Sequence, residues 1–303
     1  MACLLMRPAI SLPRILNVSP RLMLSRGFAS QTVPLAYDRH DPPTSSPSGP
    51  KPPIIFMHGL FGSKRNNRSI SKVLARDLNR TIYAVDLRNH GDAEHNEKHD
   101  YTAMAHDVEA FVQDHKLGSV SLIGHSMGAK TALTVALQSP DIVENVIAVD
   151  NAPVDAALRA DFPNYVRGMK KVEDANVTKA SEADKIMSEF EESLPVRQFL
   201  LSNLIREPGS PQLKFRNPLS ILASSLDNMG DFPFKNPDEV RYNKPALFIR
   251  GTRSHYIPDE VLPVIGRFFP LFELRDVESG HWVISENPEA FRQAVVEFLQ
   301  EKE

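Results

Sequence analysis

The segment SLIGHSMGAKTAL holds Gly124-His125-Ser126-Met127-Gly128 between an apolar run and a helical pattern. In that setting G-x-S-x-G is the signature of a nucleophile elbow. The serine occupies a sharp strand-to-helix turn, small flanking residues let the backbones close around it, and the helix start offers N–H groups to an oxyanion. A chance match on a surface turn is the competing reading, and the strand before and helix after favour the elbow. Ser126 is therefore the candidate nucleophile for acyl transfer, and the N–H of Met127 one candidate oxyanion donor. The run IIFMHGLFGS supplies the other: in sites of this kind the second donor comes from the loop after an earlier strand, which points to the N–H of Leu60. His58, in the same loop, reads as a structural hydrogen-bonder.

The serine needs a base. The stretch ESGHWVISENPEAF places His281 in a turn ahead of the final helical pattern, from which it could reach over the sheet end, take the serine proton and return it to the leaving group. A lone histidine can also serve structure only; the order of serine first and histidine last, with the loop placement, favours catalysis. The acid is less obvious. The stretch ALFIRGTRSHYIP ends a strand-like run at the turn where many serine hydrolases carry their carboxylate, yet it offers only Thr252, Arg253, Ser254, His255 and Tyr256. Asp259 and Glu260 lie beyond Pro258, on the next element. Asp150 closes the preceding run NVIAVD, and strand ends on one edge of a parallel sheet face the same crevice, so an acid one strand nearer the nucleophile can still reach His281. The expected triad is Ser126, Asp150 and His281, with Ser254 as an auxiliary hydrogen-bond partner. A plain cap on the segment after it is the other reading of Asp150.

These residues must be held by alternating elements. TVPLAYD, IIFM, TIYAVDL, SVSLI, VIAVD, PALFIR and LFELRDV read as strands; NNRSISKVLARDL, YTAMAHDVEAFVQDH and PEAFRQAVVEFLQ have helical spacing. Such alternation implies an α/β fold, with a mostly parallel sheet covered by helices on both faces. From 153 to 243 strand signals vanish and helical ones, KASEADKIMSEFEESL and VRQFLLSNLI, dominate, which reads as an inserted helical cap. The expected organisation is a presequence over 1–32, core over 33–152, cap over 153–243 and core again over 244–303.

Composition limits the remaining choices. The 303 residues are 42% hydrophobic and 24% charged, ordinary for a globular chain, and the net charge of -3 gives no reason to expect nucleic-acid binding. No apolar run is long enough to span a bilayer. Residues 1 to 37 carry Arg7, Arg14, Arg21 and Arg26 and no acid, so with +4 set against a total of -3 the remainder holds -7. An arginine-bearing, acid-free, serine-bearing start is the composition of a mitochondrial transit peptide, with Arg26 to Ser30 resembling a processing site cut after Phe28. The single cysteine, Cys3, lies inside that presequence, so the mature chain would have no disulfide and no thiolate nucleophile. His90, His95 and His99 cluster in DLRNHGDAEHNEKHD, which reads as a loop and supports no metal assignment.

HGLFGS, DLRNHG, GHSMGAK, VDNAPV and SGHW in this order resemble the mitochondrial α/β-hydrolase-domain esterases, a group that includes fungal ethanol acetyltransferases. The resemblance covers roughly residues 33 to 300. It implies an α/β-hydrolase fold, Ser126 as nucleophile and His281 as base, and no cofactor. Asp92 departs from the group, which usually has a small serine there; an effect on loop packing is expected. The expected activity is hydrolysis of short acyl esters or thioesters through an acyl-enzyme. An alcohol intercepting the acyl group, giving acetate esters from acetyl-CoA and ethanol, would use the same residues. A non-catalytic scaffold binding a partner through the cap is a third possibility, since fold alone establishes no activity. Epoxide- or haloalkane-type chemistry is disfavoured because it needs an aspartate where Ser126 stands.

Overall fold

In the computed structural model the described residues are 32–43, 51–155 and 161–302. The presequence expected over 1–32 falls, apart from Thr32, outside them. Within Val33–Glu303 seven strands form one sheet: β1 (Ala36–His40), β2 (Ile54–Met57), β3 (Ile82–Asp86), β4 (Val120–His125), β5 (Val143–Val149), β8 (Ala246–Gly251) and β9 (Phe272–Val277). Their spatial order is β1-β3-β2-β4-β5-β8-β9, with β1 antiparallel to β3 and every other pairing parallel.

The central strands are apolar on both faces because both faces are covered. On one, Ile54, Phe56, Ile123, Ile147 and Ile249 pack with the inner stripes of α1 (Arg68–Leu78) and the C-terminal helix α9 (Pro288–Glu301). On the other, Ile55, Met57, Leu122, Val146 and Phe248 meet α2 (Tyr101–Asp114) and α3 (Met127–Gln138). Alternate residues of one strand thus feed two cores, the period-2 geometry of a pleated strand.

Between β5 and β8 the chain leaves the sheet to form α4 (Asp161–Asp174), α5 (Ala180–Met187), α6 (Leu194–Leu201), α7 (Leu219–Ser224) and α8 (Leu226–Gly230). Where the sequence pattern suggests only helices, the structure adds β6 (Leu204–Arg206) and β7 (Leu213–Phe215), an antiparallel pair. Each has three residues, too few to show alternation. The structure also adds α4, whose buried Phe162, Tyr165, Val166, Met169 and Val172 recur at helical spacing.

This cap is fastened to the core by side chains of α2 and α3. Lys130, one turn into α3 and buried, donates from Nζ to the carbonyls of Gly230 (3.0 Å) and Asp231 (2.9 Å), and the Tyr101 hydroxyl donates to that of Met229 (2.9 Å). A cation set against the C-terminal carbonyls of α8 is the favourable end of the helix dipole. Burial pulls the Lys130 ammonium down to about 8.

Candidate functional site

Four strand ends build the site. The N–H of Ser126 donates to the Val149 carbonyl (2.9 Å), that of Asp150 to Ile249 (2.8 Å) and that of Thr252 to Val277 (2.9 Å), so the exits of β4, β5, β8 and β9 lie along one edge. Ser126 follows β4 with φ 55° and ψ -113°, a conformation that costs an L-residue on the order of 1–3 kcal/mol and persists only where its surroundings enforce it. Those surroundings are close-packed. A Cβ on Gly124 would lie 2.0 Å from the Gly128 carbonyl oxygen, and one on Gly128 would lie 2.6 Å from that of Met57. Only glycine fits either place.

The side chains named by the sequence meet at this edge. His281 Nε2 lies 2.9 Å from Ser126 Oγ and its Nδ1 lies 2.7 Å from Asp150 Oδ2. Asp150 is fully buried, has φ 52°, and accepts from the Gly251 N–H at Oδ1 (3.0 Å) and from the Ser254 hydroxyl at Oδ2 (2.5 Å). With three donors the carboxylate is held as an acceptor, which leaves the His281 proton on Nδ1 and bare Nε2 toward the serine. The Tyr256 ring stacks on the imidazole at 4.1 Å between centroids. Asp259, by contrast, pairs with Arg250 at 2.6 Å, away from His281. Among the described residues the N–H groups of Leu60 and Met127 donate to no protein acceptor. Such an arrangement can remove a proton from a hydroxyl and offer two free donors to developing negative charge.

The loop that carries Leu60 is itself held by histidines. His58 donates from Nδ1 to the Gly59 carbonyl (2.8 Å) and accepts the Leu87 N–H at Nε2 (3.1 Å). His90 donates to the Arg88 carbonyl (2.9 Å) and accepts the Phe61 N–H at 3.1 Å. Burial holds both imidazoles below their ordinary range, and hence neutral. The DLRNHG segment is thus a buried scaffold. Its Arg88 forms a bidentate pair with Asp107 at 2.6 and 2.7 Å, and Asp86 accepts from both the backbone N–H (2.6 Å) and Nζ (2.5 Å) of Lys64. Asp92 does enter loop packing: it pairs with Lys64 at 2.5 Å and also with Arg216 of the cap.

No sequence pattern gives His125 a role, although it stands beside the serine. Its Nε2 donates to the His281 carbonyl at 2.7 Å, tying the elbow to the histidine loop, and burial pulls its imidazole down to about 4. Among the described residues no group of three or more His, Cys, Asp or Glu is placed to hold a metal ion, and no helix is long and apolar enough to cross a membrane.

A cleft of about 720 Å³ adjoins this centre, running up to Gly59 and His125 and walled by Ile70, Val196, Phe199 and Trp282. The rings of Phe199 on the cap and Trp282 on the histidine loop meet at 4.5 Å.

The family model for the alpha/beta hydrolase fold matches residues 52–288. This chain belongs to the α/β-hydrolase family. Relatives of this α/β-hydrolase include an abhydrolase domain-containing protein of Schizosaccharomyces pombe, 44% identical over 88% of this chain and 97% of that one. A probable alcohol acetyltransferase of Saccharomyces cerevisiae is 36% identical over 92% and 88%, and an sn-1-specific diacylglycerol lipase, ABHD11, of Xenopus tropicalis is 37% identical over 90% and 84%. Among solved structures, a marine microorganism esterase superposes with a TM-score of 0.81 at 28% identity, covering 88% of this α/β-hydrolase and 100% of the esterase.

Proposed function

We propose that the chain is a serine hydrolase that cleaves short acyl esters or thioesters through an acyl-enzyme. Ser126 Oγ attacks the carbonyl carbon while His281 Nε2 takes its proton. The tetrahedral oxyanion is held by the N–H groups of Leu60 and Met127, and the Asp150 carboxylate orients the imidazole and steadies its charge, with Ser254 supporting Asp150. The intermediate collapses, the leaving oxygen or sulfur carries away the proton from Nε2, and a water repeats the sequence to release the carboxylic acid and free Ser126. The observation that carries this reading is the chain of hydrogen bonds from Ser126 through His281 to Asp150, set beside two free N–H groups.

Transfer to an alcohol is the second reading, favoured by the probable alcohol acetyltransferase among the relatives. It needs the same residues, and only the acceptor differs. The described residues lining the cleft include no lysine or arginine, which suits an uncharged ester better than a polyanionic thioester carrier. The acid-free, arginine-bearing N-terminus supports a mitochondrial location for this chemistry.

The test is product analysis across a chain-length series of esters, with and without acetyl-CoA and ethanol together, in parallel with fluorophosphonate labelling. Free acid as main product and a label on Ser126 are expected, both abolished by Ser126→Ala. Acetate ester as main product would shift the assignment to transferase; undiminished turnover in Ser126→Ala would sink the nucleophile, and a folded protein that neither labels nor turns over would be a scaffold.

A further inference from the structure

The oxyanion donor proposed at Leu60 sits in a tight turn, closed by the Gly62 N–H donating to the Gly59 carbonyl at 2.9 Å. The third residue of that turn, Phe61, has φ 62°. Positive φ is easy for glycine and unfavourable for other residues, so the chain must hold Phe61 there. If the turn relaxed, the peptide planes on either side of Leu60 would rotate and its N–H would swing off the position where negative charge develops.

Three contacts hold Phe61, and they come from two sides. The core takes the N–H, through His90 Nε2. The cap takes the rest. Asn203, in the step from α6 into β6, donates from Nδ2 to the Phe61 carbonyl at 2.5 Å, and Phe162 of α4 stacks on the Phe61 ring at 6.3 Å between centroids. Phe61 is fully buried and Asn203 is 5% exposed, so the carbonyl has no water to replace the amide. Asn203 is in turn fixed by its own backbone. Its carbonyl accepts the Arg216 N–H at 2.9 Å, and Arg216 then pairs with Asp92 on the core.

We propose that Asn203 is a positioning residue through which the seated cap sets the oxyanion hole. The amide acts on Leu60 by way of the Phe61 carbonyl and does not touch the reacting atoms. The proposal rests on the reading of Leu60 as a donor to the oxyanion. A buried carbonyl that loses the donor given to it among the described residues is left unsatisfied at a cost comparable to that of holding φ positive, so the turn has reason to relax once the amide is gone.

The experiment compares Asn203→Leu and Asn203→Asp with wild type and with Arg216→Gln, which loosens the same part of the cap without touching Phe61. The isosteric aspartate guards against a leucine variant that does not fold. Measured are kcat, KM and the inhibition constant of a trifluoromethyl ketone, whose adduct with Ser126 places an oxyanion in the hole. Expected for the Asn203 variants are a kcat lower by about tenfold to a hundredfold, KM within twofold, and ketone affinity lost by the same factor as kcat/KM. Arg216→Gln, which weakens the anchor of Asn203 but leaves its amide in place, should lower kcat and ketone affinity together by a smaller factor than the Asn203 variants, with KM within twofold. Asn203 variants that keep wild-type kcat, or lose kcat while still binding the ketone normally, would overturn the positioning role. A wild-type protein with no acyl-transfer activity would instead remove the functional reading beneath it.

Discussion

Replacing Asp150 by Asn puts an amide NH₂ into a pocket built around three donors: the Gly251 N–H at 3.0 Å, the Ser254 hydroxyl at 2.5 Å and His281 Nδ1 at 2.7 Å. Two orientations are open to the new side chain. With its oxygen toward Ser254 and His281, the NH₂ faces the Gly251 N–H, a backbone donor that cannot turn away. With its oxygen toward Gly251, that donor stays satisfied, the serine hydroxyl rotates to accept, and the imidazole moves its proton from Nδ1 to Nε2. The first leaves buried donors opposed at a cost of about 1–3 kcal/mol or more, and the second only rearranges mobile protons, so the second prevails. Nε2 then presents a proton to Ser126 where a lone pair is needed. Loss of the base and of the charge that steadies the imidazolium is expected to lower kcat by about 10⁴-fold, roughly 5.5 kcal/mol. The assay is kcat on a short p-nitrophenyl ester near neutral pH, with a thermal melt to show that the fold survives. A well-folded Asp150→Asn enzyme within tenfold of wild type would refute the assignment of the acid.

Ser254→Ala removes one donor from Asp150 and leaves His281 bonded, so it should lower kcat by about tenfold at most; a larger loss than that of Asp150→Asn would mean the roles are reversed. Acid should destabilise the fold through buried imidazoles. His99 and His125 have folded values of about 4 against 6.5 when unfolded, so above 6.5 neither state is protonated, and below it the unfolded chain alone takes up protons until about 4. Stability therefore falls with pH in that window, by about 2 kcal/mol for each of the two near pH 5, and denaturant midpoints that do not move between neutral pH and that point would contradict their burial as neutral groups. The mature protein from mitochondria should begin at Ala29, after removal of about the first 28 residues. N-terminal sequencing checks this, and a chain still starting at Met1, or a secreted product, would remove the targeting assignment.

What could be read beforehand was what lies close along the chain or repeats with an element's period. The elbow was visible because Gly124 and Gly128 flank Ser126 between a strand and a helix. The placement of Asp150 followed from where strands end, the geometry that the Val149 and Ile249 carbonyl bonds now display. Hidden were residues whose work is to hold a distant backbone. Asn203 reaches Phe61 across 142 positions, His125 reaches His281 across 156, and His90 reaches Phe61 across 29. No periodicity marks such partners. Buried polar residues inside motifs, such as the histidines of HGLFGS, DLRNHG and GHSMGAK, are the nearest thing to a warning sign, because a neutral imidazole in a core is kept only where it has a bond to make.

The short bond between Ser254 and Asp150 also bears on how such a site could change by descent. A carboxylate grown from residue 254, on the turn after β8, would stand beside the Asp150 oxygen that meets the imidazole. The two seats are one hydrogen bond apart. A lineage could carry acids at both for a time, sharing a proton as crowded carboxylates do, and then lose either one while the histidine kept its partner throughout. If Asp150 is the acid, as proposed, that role can pass between neighbouring strands without an inactive ancestor.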